Sequence, residues 1–151
     1  MSTTVYPSGS SLLTKPLADT PEEREEFATR PRLLLLEPDP ALRRVLASTL
    51  LRLGCVLNFK RDLESLITTL AGGEYSGAIV ALDTDLAPAI RLGASAPPGA
   101  RLAILANTPP DPLLIRQLPS ACFLQKPFDL RELLVALNLP DKAQIVTREN
   151  L

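Results

Sequence analysis

Five short apolar runs recur along this chain of 151 residues, and the stretches between them carry leucines at helical spacing. The runs are Arg32–Leu36 and residues 55–59, 78–82, 102–105 and 121–124. Each is too short for a buried helix and too apolar to leave one face in water, which suits the strands of a parallel sheet covered on both sides. Strands that alternate with helices require right-handed crossovers, so helices are laid on both faces. This alternation restricts the chain to an α/β architecture.

The punctuation between the runs supports that reading. Asp39 before Pro40 opens a helix on which Leu42, Val45, Leu46, Leu50 and Leu53 share a stripe, and Gly54 stops it in the left-handed conformation. Asp62 caps a second helix bearing Leu63, Leu66, Ile67 and Leu70, which ends at Gly72-Gly73. Residues 86–99 hold Pro88, Pro97 and Pro98, so only a short helix over 89–92 is expected there. Asp111-Pro112 starts a fourth helix reaching about residue 118. Asp129 with Glu132 forms a capping box for the fifth, whose core stripe is Leu130, Leu133, Leu134 and Leu137, with Val135 off it.

Residues 1–31 mix Ser, Thr, Pro and Gly and are expected to form a flexible N-terminal extension, with a short helix over 21–29 opened by Thr20-Pro21. Residues 32–139 form one domain and residues 140–151 a polar C-terminal tail. The natural architecture is flavodoxin-like: a doubly wound five-stranded parallel sheet of order 2-1-3-4-5, with its ligand crevice beyond the carboxyl ends of strands one and three. Glu37, Asp39, Asp83, Asp85 and Lys126 all fall at strand ends on that side.

Charge and composition narrow the function. Lys and Arg number 16 against 17 Asp and Glu, so no global positive field holds a phosphate backbone, and nucleic acid is not an expected partner. The absence of His removes Ser-His and Cys-His catalysis. Cys55 and Cys122 lie in apolar segments without metal-ligand spacing and read as buried, inert thiols in a reducing compartment. No apolar run approaches the roughly 18 residues that cross a bilayer, so a cytoplasmic protein without membrane contact is expected.

Four motifs carry a resemblance to a known family. LLLLEPDP is similar to the acidic turn after the first strand of response-regulator receiver domains, LRLGC to the end of their first helix, YSGAIVALD to their phosphoacceptor strand, and LQKPFDLRELL to their Lys-Pro turn and last helix. The resemblance spans roughly residues 32–139, which makes this the receiver-like domain. It implies an acidic pocket at Glu37 and Asp39, a phosphoryl-pairing Lys126 and a switch position at Ala106 and Asn107. In that family two acidic residues and an aspartate hold Mg²⁺, and the aspartate takes a phosphoryl group from a partner kinase; here Glu37 and Asp83 would be the metal ligands.

The sequence departs from the pattern at three of these places. Pro38 stands where a second acid is expected, Ala106 where a hydroxyl is expected, and the phosphoacceptor position counted from Tyr75 falls on Ala81, with Asp83 two residues beyond. The expected function is therefore a pseudo-receiver in signal transduction. It would act without phosphorylation and without a cofactor, by binding a signalling protein or a second copy of itself through the face of the fourth and fifth helices. The alternative is a working phosphoacceptor receiver of a two-component phosphorelay that uses Asp83 with Mg²⁺. An unrelated flavodoxin-like cofactor binder lacks support, because no Gly-rich phosphate loop follows strand one.

Overall fold

The computed structural model describes residues 30–82 and 86–139. The expected helix at 21–29, the tail at 140–151, and Asp83 and Asp85 lie outside the described residues. The elements are β1 (Arg32–Leu36), α1 (Pro40–Arg52), β2 (Val56–Phe59), α2 (Leu63–Ala71), β3 (Gly77–Ala81), α3 (Leu86–Ser95), β4 (Arg101–Ala106), α4 (Pro112–Gln117), β5 (Ala121–Gln125) and α5 (Leu130–Ala136). Every pairing is parallel, and the five strands run in the order β2-β1-β3-β4-β5.

Side chains alternate along each strand, so a sheet with helices on both faces needs two cores. Leu33 and Leu35, with Ile79 and Leu105, pack on one face against Leu46 and Leu50 of α1 and Leu133 and Leu134 of α5. Leu34, Val80 and Ile104 pack on the other face against Leu66 and Leu70 of α2, Leu92 of α3 and Leu114 of α4. The continuous leucine run of β1 thus feeds both layers at once. At the amino-terminal side, the Asn58 amide donates to the Tyr75 hydroxyl oxygen at 2.9 Å, and this donation leads the influences that lower the phenol's pKa. The Arg32 guanidinium lies 5.1 Å from the centre of the same ring.

The helix starts follow their sequence signals. Asp39, Asp62, Asp111 and Asp129 each accept a hydrogen bond from a backbone N–H of the first turn, and Glu132 returns the bond to the Asp129 N–H at 3.1 Å. Gly54 at φ +88° closes α1 as expected.

Four expectations need correction. The third helix covers Leu86–Ser95 rather than 89–92, because Pro88 falls in its first turn, where a missing N–H breaks no intrahelical bond. The third strand sits one residue earlier than its apolar run, starting at Gly77. Val45 lies outside the buried stripe of α1, half exposed, while Leu46 and Leu50 carry the core. Cys122 is exposed, not buried, because β5 is an edge strand whose side chains are only partly covered.

The two thiols therefore differ chemically. Burial pushes the Cys55 thiol pKa up, which holds it as the unreactive thiol, whereas Cys122 meets solvent. Brief treatment of the native chain with iodoacetamide at pH 8, read by peptide mass spectrometry, is expected to modify Cys122 and spare Cys55 until denaturant is added. Equal labelling of both without denaturant would contradict the burial of Cys55.

Candidate functional site

The candidate site lies beyond the carboxyl ends of β1, β3, β4 and β5. Leu36 pairs with Val80, which brings Glu37, one residue on, level with Ala81 at the end of β3. Ala81 pairs with Leu105, and Leu105 with Leu124, so the same row continues across the sheet to β5. Lys126 follows β5 two residues after Leu124. Its backbone N–H donates to the Ala106 carbonyl at 2.7 Å, and the bond to Pro127 is cis.

From opposite ends of this row two charged side chains meet. Lys126 Nζ lies 2.8 Å from Glu37 Oε1, with the lysine side chain 20% exposed and the glutamate side chain 1% exposed. Between β1 and β5 lie two strands, a span of roughly 14 Å at the usual strand spacing, so the pair passes over the ends of β3 and β4. Those ends carry Ala81 and Ala106, whose methyl groups contribute neither charge nor a hydrogen-bonding atom. The longer arm of glutamate relative to aspartate adds reach for this crossing.

The second carboxylate oxygen of Glu37 is also engaged. Oε2 accepts the Asp39 N–H at 3.0 Å, while the Glu37 carbonyl accepts from Arg43 Nη1 at 3.0 Å. Asp39 itself caps α1 through the Ala41 N–H at 3.1 Å and lies exposed. Asn107 contributes its backbone carbonyl to a 3.5 Å contact from the Gln125 amide.

The structure thus brings Glu37 and Lys126 together, keeps Asp39 at the helix cap and sets Ala81 level with Glu37. A magnesium ion needs several oxygen ligands around one point. Among the described residues Glu37 brings a buried carboxylate here: Oε2 accepts the Asp39 N–H, while Oε1 has the Lys126 ammonium 2.8 Å away and makes no hydrogen bond. Pro38 and Ala81 supply no side-chain oxygen. No group of three His, Cys, Asp or Glu side chains that could hold a metal ion occurs among the described residues.

Beside this crevice, on the β2 side, a cavity of about 400 Å³ opens between the β1–α1 and β2–α2 turns. Arg43, Phe59, Lys60 and Arg61 line it with Glu37 and Pro38. Sequence reading missed Arg43, Phe59, Lys60 and Arg61, although a signal was present: two basic residues directly follow an apolar strand whose neighbour ends in the acidic turn.

Comparison with known proteins agrees with the fold. No family model matches the sequence, and no curated protein matches it. Solved receiver domains do match in structure. The signal receiver domain of an HD domain-containing protein from Pseudomonas fluorescens superposes with a TM-score of 0.57 at 28% identity, covering 72% of this chain and 92% of that one. A response regulator protein from Burkholderia multivorans gives a TM-score of 0.58 at 20% identity, covering 74% and 98%. The pseudo-receiver domain of the CikA protein gives 0.52 at 26% identity, covering 74% and 99%. The chain therefore has the fold of response-regulator receiver domains, and a pseudo-receiver is among its structural neighbours. Among the described residues no helix is long and apolar enough to cross a membrane.

Proposed function

We propose that this chain is a pseudo-receiver: a signalling domain that works by binding a protein rather than by accepting a phosphoryl group or catalysing a reaction. One observation carries the reading. The ammonium of Lys126, the group that would pair with an incoming phosphoryl oxygen, is committed to the buried Glu37 carboxylate, and the side chain level with that carboxylate is Ala81. A phosphoryl group arriving there would meet Ala81, which has no nucleophile, and a Lys126 ammonium already paired with Glu37. The partner is a signalling protein or a second copy of the chain. The reading places that contact on α4 and α5, where Leu113 and Ile115 are about half exposed and Val135 is 76% exposed.

The test is direct labelling. Full-length protein incubated with acetyl phosphate and Mg²⁺, then followed by intact mass, is expected to gain no phosphoryl group. A stable gain of one phosphoryl that disappears in Asp83→Asn would overturn the proposal and establish the phosphoacceptor alternative.

A further inference from the structure

We infer that the cavity between the β1–α1 and β2–α2 turns is a binding site for a small phosphorylated ligand with a planar ring, of nucleotide type. Its size is the first support: about 400 Å³ falls in the range of small-molecule sites, roughly 300 to 1,000 Å³. Position is the second, because in open parallel sheets ligands settle beyond the carboxyl ends of the strands, and β1 and β2 both end here.

The lining supplies the chemistry. Arg43, Lys60 and Arg61 present three cations, one from α1 and two from the β2–α2 turn. Arg43 spends one guanidinium nitrogen on the Glu37 carbonyl, and among the described residues neither Lys60 nor Arg61 is held in an ion pair. The carboxylates close by do not cancel this charge within the cavity. Glu37 is neutralised by Lys126, and Asp39 and Asp62 turn their oxygens toward the Ala41 and Ser65 N–H groups of their own helices. A guanidinium offers paired donors that match phosphate oxygens, and an ammonium adds a point charge.

Phe59 accounts for the ring. It ends β2 at 49% exposure and lines the same cavity, an unusual place for an aromatic side chain that could have been buried. A planar base stacked on it would cover both apolar faces while the phosphates rest on the cations. The cavity shares Glu37 and Pro38 with the acidic turn of the candidate site, while Phe59, Lys60 and Arg61 lie outside that turn.

The probe is a fluorescent N-methylanthraniloyl derivative of ADP titrated into the full-length chain, with unlabelled ADP and inorganic pyrophosphate as competitors. Saturable binding displaced by ADP is expected. Lys60→Ala/Arg61→Ala, at a half-buried and an exposed position, should weaken it about tenfold or more, and Phe59→Ala should weaken ADP by about fivefold or more while leaving pyrophosphate competition unchanged. Absence of saturable binding at millimolar nucleotide would overturn the inference. So would binding unaffected in Lys60→Ala/Arg61→Ala, or a Phe59→Ala protein that binds ADP as tightly as the parent. Circular dichroism of each variant separates lost binding from lost folding.

Discussion

Lys126→Ala is expected to destabilise the domain by about 3 to 5 kcal/mol, because it strands a buried carboxylate. Glu37 is almost wholly inside, and without the ammonium its charge would rest on one N–H donor from Asp39. The reverse change should be milder. Glu37→Gln leaves Lys126, which is partly exposed and can swing its ammonium into water, so a loss of about 1 to 2 kcal/mol is expected. The double variant should lose well less than the sum of the two single losses, since it removes the stranded charge as well as the pair. Urea unfolding at constant slope measures all three. A Lys126→Ala loss below about 1 kcal/mol would mean that the ion pair does not hold the strand ends together.

Gly77→Ala is expected to cost about 3 kcal/mol, through collision rather than charge. A methyl group there would meet the Arg101 carbonyl oxygen at 2.5 Å, and the Arg101 carbonyl carbon and Cβ at 3.3 Å each. The obstacle is backbone, and the two residues are register partners in the middle of the sheet, with β1 on one side and β5 on the other. Neither strand can retreat without opening a second pairing. Gly73→Ala serves as the control: its φ is +83° but nothing lies within 4 Å of the added carbon, so only the left-handed conformation is penalised, by about 1 kcal/mol. Equal losses at the two positions would show that crowding between β3 and β4 is not what forbids a side chain at Gly77.

Much of the fold was legible because its signals are local. An Asp-Pro pair or a capping box specifies a helix start within four residues, and an unbroken leucine run announces burial on both faces whatever the partners are. Proline was misread where position outweighs identity: Pro88 counts as a breaker only beyond the first turn, and the start of α3 could not be placed from composition. Cys122 looked buried because its neighbours are apolar, but edge position follows from strand order, a property of the whole sheet. The site was legible in part. Glu37 and Lys126 were marked by their places after strands, yet their meeting depends on the register of four strands. The basic cavity escaped because Arg43 and the Lys60-Arg61 pair are brought together only when β1 and β2 lie side by side.

The two open sides of the sheet bear on how such a domain can associate. β2 offers four residues and β5 five, so a foreign strand laid along either side would gain only a few main-chain bonds. Fibre-like stacking of one copy on the next is therefore poorly rewarded, and recognition is left to side chains projecting from the flanking helices, where individual substitutions can retune the choice of partner without disturbing the scaffold.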